Sequence, residues 1–231
     1  MINKVVAALL AGAAALTLGA ASYTAPVRLA APTPITVLGI GDSITAGYGP
    51  GSNGAGYRTR LRAELAHARR TAVYVGSVVD TLGNHHEGHS GWPADRMTPY
   101  AAAWVQATAP QVVLLMAGTN DINNGDTPEQ AAEDLQLLVM QTRLYLPAGS
   151  VLVLAKIPLI PGKEAAVQDF NARVVSIAAR FRLPLADMQA AVPPPLLGDT
   201  LHPSQAGYDA MAAAWFAVMQ QPVATPRPTA T

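Results

Sequence analysis

The sequence predicts an α/β protein, a three-layer α/β/α sandwich on a five-stranded parallel sheet, and three observations predict it. Short β-branched and leucine runs of strand length alternate with one-sided apolar segments of helical length. The strand runs are apolar throughout, as in strands covered on both faces. Two of them stop in polar side chains next to glycine, Ile40-Gly41-Asp42-Ser43 and Ala117-Gly118-Thr119-Asn120. Open parallel sheets carry their ligand-binding groups at such carboxyl ends.

Ile35 to Ile40 is the first strand, and Gly47, Gly49, Gly51, Gly54 and Gly56 after it predict an open loop. Tyr57 to Arg70 places Leu61, Leu65 and Ala68 at helical spacing among arginines, which predicts a helix lying on one sheet face. Val73 to Val79 is the second strand, and the Gly- and His-rich stretch Asp80 to Pro93 predicts a loop. Asp95 to Thr108 is helical, with Pro99 near its start. Gln111 to Ala117 is the third strand and runs into Asn120. Thr127-Pro128-Glu129-Gln130 joins a capping residue, a proline at the first helical position and a Gln at the third, so a helix begins there and runs to about Tyr145. Val151 to Lys156 is the fourth strand, Lys163 to Arg182 a helix, and Leu185-Ala186 a short fifth strand ending at Asp187. Ala190 to Pro203 is a proline-rich loop holding Asp199 and His202, and Ser204 to Met219 is the last helix. In the flavodoxin-like strand order 2-1-3-4-5, the crevice lies between the first and third strands, which deliver Ser43 and Asn120.

Composition narrows the chemistry. The 231 residues, 50% of them hydrophobic, suffice for one domain with a sizeable core. Fifteen Lys and Arg balance fifteen Asp and Glu, so no charged field gathers nucleic acid or anionic lipid. Cysteine is absent, which removes disulfides, thiolate nucleophiles and Cys-based zinc sites. One lysine, an uncharged Ala- and Leu-rich run from Val5 to Leu18 and small residues to Ala21 have the architecture of a signal peptide over 1–21. The run is shorter than the ~20 residues that span a bilayer. The expected organisation is a flexible lead-in over 22–34, one folded domain over 35–220 and a disordered Pro/Thr-rich tail over 221–231. A secreted or periplasmic monomer, without stable membrane insertion after signal cleavage, is expected.

Attack on an acyl carbon requires an activated hydroxyl, a base, a carboxylate that orients the base, and donors for the oxyanion. Ser43 supplies a hydroxyl. Asp199-Thr200-Leu201-His202 sets carboxylate and imidazole two residues apart, so one turn brings Asp199 to one ring nitrogen while the other faces Ser43. Asn120 has a side-chain amide for an oxyanion, with the backbone N–H groups of Ser43 and Gly91 as companions; a loop asparagine bonding its own backbone is the structural alternative. Asp42 and Asp121 read as loop-shaping acceptors, with Asp42 also a weak candidate for substrate contact. Trp92 is a cleft wall or core residue, with sugar stacking a further possibility; Trp104 and Trp215 are core residues. The cluster His85-His86-Glu87-Gly88-His89 is rich in metal ligands, but its spacing is not the helical His-Glu-x-x-His pattern and no fourth ligand is evident. Neither metal nor cofactor is expected.

Four blocks, Gly41-Asp42-Ser43-Ile44-Thr45, Gly88-His89-Ser90-Gly91-Trp92, Gly118-Thr119-Asn120-Asp121 and Asp199-Thr200-Leu201-His202-Pro203, resemble in order the motif blocks of the SGNH (GDSL-type) hydrolases. The resemblance covers nearly the whole chain after the leader and implies Ser43 as nucleophile, Gly91 and Asn120 as oxyanion donors, His202 as base and Asp199 as its orienting acid. Ile44 stands where many members have Leu. His86 to Trp92, with Val75-Gly76-Ser77 before it, looks like the carbohydrate esterase family three group, which includes acetylxylan esterases. The resemblance therefore implies a metal-independent serine esterase removing short acyl groups, acetyl above all, from a small-molecule or polysaccharide ester. The superfamily's lipases, lysophospholipases, thioesterases and arylesterases are the alternatives within the fold; a carbohydrate-binding protein that has lost catalysis is the alternative outside enzymes.

Overall fold

A computed structural model describes residues 33–220. The signal peptide over 1–21, the lead-in up to residue 32 and the tail over 221–231 lie outside the described residues. The lead-in was expected to reach residue 34, but Thr33 and Pro34 already belong to the first strand, β1 (Thr33–Gly41), where they pair with Arg70 and Thr71. Backbone pairing alone carries the strand two residues beyond its apolar run.

Five parallel strands form the centre in the expected order: β2 (Arg70–Val75), β1, β5 (Val112–Met116), β6 (Val151–Lys156) and β7 (Leu185–Asp187). Their middle residues, among them Val37, Leu38, Ile40, Val113, Leu114, Leu115, Val153 and Leu154, are fully buried, as strands covered on both faces must be. Helices α2 (Arg58–His67) and α8 (Gln205–Met219) pack together on one side, and α3 (Ala94–Thr108), α5 (Pro128–Leu144) and α6 (Glu164–Phe181) form the other layer. The expected cap of α5 is present: Thr127 Oγ1 accepts from Gln130 N, and the Gln130 side chain accepts from Thr127 N. Trp104 and Trp215 are core residues as expected.

The departures from the expected pattern lie between Arg70 and Pro93. The second strand runs Arg70–Val75 rather than Val73 to Val79, so Arg70 leaves the expected helix and Val78–Val79 leave the expected strand, and the expected loop Asp80 to Pro93 contains a strand of its own. Two short strands, β3 (Val78–Val79) and β4 (His85–Gly88), pair antiparallel, and β4 also runs parallel to the end of β1, with Ile40 opposite Glu87 and Gly41 opposite Gly88. They make seven strands among the described residues, β2 holding the first part of β1's edge and β4 the last. Gly88 permits β4 to pack closely on the chain just after β1, since a Cβ there would lie 2.4 Å from Ala46 N. The polar loops also contain short helices: α1 (Ser43–Ala46), α4 (Thr119–Asn124) and α7 (Met188–Ala191), with a 3-10 turn at Pro194–Leu196. No helix among the described residues is long and apolar enough to cross a membrane.

Candidate active site

The crevice between the carboxyl ends of β1 and β5 receives three loops, and the side chains singled out in the sequence meet there. Ser43 is the first residue of the one-turn helix α1. Asp42 caps that helix, its Oδ1 accepting from Ile44 N at 2.9 Å. A first-turn N–H has no acceptor within its own helix, and with Ile44 taken by Asp42 the Ser43 N–H is left for something outside. Only 5% of Ser43 is exposed.

Ser43 Oγ lies 3.0 Å from His202 Nε2, and His202 Nδ1 lies 2.9 Å from Asp199 Oδ2. The second contact follows from local chain geometry: Asp199 Oδ1 accepts from the backbone N–H groups of Leu201 at 2.7 Å and His202 at 2.6 Å, which curls the chain so that the ring meets the carboxylate. Gly198 N donates to His202 O at 2.7 Å and closes the turn. Desolvation raises the Asp199 pKa, but bonds from the His202 backbone and ring and from Leu201 N–H outweigh it and hold the carboxyl below its ordinary value. Asp199 is therefore ionised at neutral pH, which favours the tautomer with a proton on His202 Nδ1 and leaves Nε2 as acceptor for the Ser43 hydroxyl.

On the opposite wall, Asn120 sits in the first turn of α4 and is 7% exposed. Its Nδ2 donates to Trp92 O at 3.1 Å, so one amide hydrogen is taken and the second is available. Gly91, in the turn after β4, is exposed at φ 76°. That turn is fixed from several sides: His89 N donates to Gly41 O at 2.9 Å, Trp92 N to His89 O at 3.1 Å, and His89 Nε2 to Glu87 Oε2 at 2.9 Å. Glu87, 1% exposed, also accepts from the Ser77 hydroxyl at 2.9 Å and from Ser77 N. Ser43, Tyr48, Ser90, Gly91, Asn120, Leu201 and His202 line a pocket of about 280 Å³.

Two proposed substrate contacts are corrected. Asp42 is fully buried, so it shapes the loop and cannot meet substrate. Burial pushes its pKa up to about 6 against the bond from Ile44 N and the neighbouring Thr119 hydroxyl, and Asp42 Oδ2 and Thr119 Oγ1 are each buried without a well-formed hydrogen bond. Trp92 is half-buried, and its indole already carries the His89 ring at a centroid distance of 4.4 Å and the Arg96 guanidinium at 4.5 Å. It is a structural wall rather than a free sugar platform. Asp121, as expected, accepts backbone N–H bonds, from Ala94 at 3.0 and 3.3 Å to its two oxygens, and burial pushes it up to about 7.

The three histidines of the cluster have separate partners. His85 Nδ1 donates to Gly76 O at 3.0 Å, His86 Nδ1 accepts from Gly88 N at 2.9 Å, and His89 bonds Glu87. Burial lowers the His86 pKa to about 4, so it is neutral. No group of three or more metal-ligating side chains gathers among the described residues. One important residue carried no signal in the sequence. Arg58, which reads as one of several surface arginines of α2, is 1% exposed; its Nε pairs with Asp80 at 2.8 Å, and its other nitrogens donate to Thr45 O and to Ala46 O, the latter at 2.8 Å. It thereby satisfies carbonyls at the end of the helix that carries Ser43.

The model of the GDSL-like lipase/acylhydrolase family matches residues 40–210 and spans all four motif blocks. Among solved structures, the chain is similar to a family 3 carbohydrate esterase from Clostridium thermocellum, 27% identical with a TM-score of 0.69 over 80% of this chain and 94% of that one. It is also similar to an acetylxylan esterase from Geobacillus stearothermophilus, with 22% identity and a TM-score of 0.64 over 84% of this chain and 97% of that one, a likeness of fold. A multidomain esterase of Ruminococcus flavefaciens is 24% identical over 229 residues. That match takes in 83% of this chain but only 29% of the relative's length.

Proposed function

Because the chain belongs to the GDSL-like lipase/acylhydrolase family, a family of carboxylic ester hydrolases, we propose that it removes short acyl groups, acetyl first among them, from carbohydrate esters through Ser43, His202 and Asp199. The observation that carries this reading is the continuous hydrogen-bonded line from Ser43 Oγ through the His202 ring to the Asp199 carboxylate. Ser43 Oγ attacks the acyl carbon while His202 Nε2 takes its proton. The oxyanion of the tetrahedral intermediate accepts from Ser43 N–H, Gly91 N–H and the second hydrogen of Asn120 Nδ2. Collapse returns the electron pair to the carbonyl and breaks the bond to the alcohol, which leaves with the proton from His202 Nε2. Water, deprotonated by the same nitrogen, then attacks the acyl-enzyme and releases the carboxylic acid and Ser43. The carboxylate of Asp199 orients the imidazole and stabilises its cationic form throughout.

Acetyl and carbohydrate are favoured by the pocket's volume of about 280 Å³, at the lower edge of the ~300–1,000 Å³ typical of ligand sites, and by the likeness to a family 3 carbohydrate esterase. The signal-peptide-like pattern of the sequence over residues 1–21 supports export. The test is a series of p-nitrophenyl acyl esters run beside acetylated xylan. Preference for acetyl with release of acetate from xylan is the expected result; an optimum at long acyl chains would overturn the carbohydrate-acetyl reading in favour of a lipid-directed esterase.

A further inference from the structure

We infer that Tyr48 is the residue that recognises the alcohol half of the ester, its ring serving as a stacking surface for the sugar that carries the acyl group; this rests on the carbohydrate reading above. When the tetrahedral intermediate collapses, the departing oxygen takes its proton from His202 Nε2, so the alcohol must lie beside the His202 ring. The aromatic ring in contact with His202 is Tyr48, edge-to-face at a centroid distance of 4.8 Å, and Tyr48 lines the same pocket. Ser90, Gly91 and Asn120 bound the pocket on the oxyanion side, which leaves the Tyr48 side for the leaving group.

Folding does not account for this ring. Tyr48 is 62% exposed, while its backbone is held at both ends, Tyr48 N donating to Ser43 O at 2.9 Å and Tyr48 O accepting from the Tyr208 hydroxyl. The next residue locks the loop against the histidine: a Cβ on Gly49, at φ 151°, would lie 2.6 Å from Pro203 O and 3.1 Å from His202 Cβ. An aromatic ring is thus presented to solvent on a backbone that cannot carry it away from the site, which lowers the ordering cost of binding. A pyranose offers a face of C–H groups of matching size, and covering it against an aromatic ring removes apolar surface from water on both partners. The Trp92 ring, already packed against His89 and Arg96, does not offer an equivalent surface.

The test compares kcat/KM for an acetylated xylo-oligosaccharide with that for ethyl acetate, whose alcohol has no ring, in the wild type and in Tyr48→Ala, Tyr48→Phe and Tyr48→Trp. The sugar-to-ethyl selectivity should fall about tenfold in Tyr48→Ala, chiefly through KM for the sugar ester. Tyr48→Phe and Tyr48→Trp should keep most of it, since the ring and not the hydroxyl acts. Unchanged selectivity in Tyr48→Ala, or loss in Tyr48→Phe equal to that in Tyr48→Ala, overturns the assignment. A wild-type protein that cleaves ethyl acetate but no acetylated sugar defeats the carbohydrate reading itself, a different failure seen before any variant is made.

Discussion

Ser43 and His202 are 159 residues apart in sequence, and their Oγ and Nε2 atoms stand 3.0 Å apart. The chain closes that distance with two short, internally capped segments: α1, capped by Asp42, and the Asp199–His202 turn, held by Asp199. Each side chain is placed by its own local bonds, and packing of α2 against α8 brings the segments into one layer system.

If those two atoms work as one unit, Ser43→Ala and His202→Ala should each lower kcat by several orders of magnitude, and the double variant should be little worse. Asp199→Ala should be milder, because Asp199 acts by orienting the ring. Asn120→Ala should cost ~10²-fold to 10³-fold, since two backbone N–H groups remain. Steady-state kinetics on p-nitrophenyl acetate measure all five variants. Ser43→Ala activity within about tenfold of wild type, in folded and uncontaminated protein, would remove Ser43 from the mechanism.

Chelation should leave the activity intact, because the three histidines of 85–89 bond to Gly76, Gly88 and Glu87 and do not converge. Assay after prolonged EDTA treatment, with and without added divalent cations, checks this. Loss of most activity that a metal restores would reopen the cluster as a metal site.

Much of this was legible in the sequence, and what was not has a common cause. Apolar strands and capped helices announce themselves by periodicity, and Ser43, Asn120, Asp199 and His202 follow strands or turns that any reading must end in loops. The stretch 80–93 hid the strand β4 because its buried residues are polar: His86 and Glu87 are 2% and 1% exposed, and Glu87 is satisfied by Ser77 and His89, partners that no hydrophobic pattern reveals. Arg58 was hidden for the same reason, since an arginine in a helix reads as solvent-facing until its carboxylate is found 22 residues away in Asp80. Asp42 carried the opposite ambiguity: a carboxylate beside a nucleophile reads both as a loop-shaping acceptor and as a substrate contact, and its depth in the fold leaves only the first.

Arg58→Met should destabilise the protein by about 3–5 kcal/mol, the cost of removing one partner from a fully buried pair. The Asp80 carboxylate would lose its cation, and two carbonyls of α1 would lose their donor. Arg58→Met, Asp80→Ala and the double variant, unfolded in urea, form a cycle with a coupling energy well above that of an exposed pair. Near-zero coupling would show that the pair is not what holds α1 in place.

The carboxyl of Asp42 gives a stability prediction with a definite sign. Burial raises its pKa from 3.8 to about 6, so between those values the folded protein holds a proton that the unfolded chain releases. The Asp42 contribution to wild-type stability should therefore fall as pH rises through that window and level off above it, where Asp42 is ionised in both states. Asp42→Asn keeps an Oδ1 acceptor for Ile44 N and removes the buried charge, so it should stabilise the protein at pH 8 by on the order of 2 kcal/mol. The gain should shrink towards pH 4, where the wild-type carboxyl is itself neutral in the folded state. Asp121, pushed up to about 7 by burial first and in smaller part by the charges of Asp134 and Asp42, gives a slope of the same sign that weakens slightly in the variant and so adds to the difference. Urea unfolding of both proteins across this pH range decides it: an Asp42→Asn protein less stable than wild type at pH 8, or a difference that does not change with pH, would mean that the buried carboxylate is better solvated than its surroundings indicate.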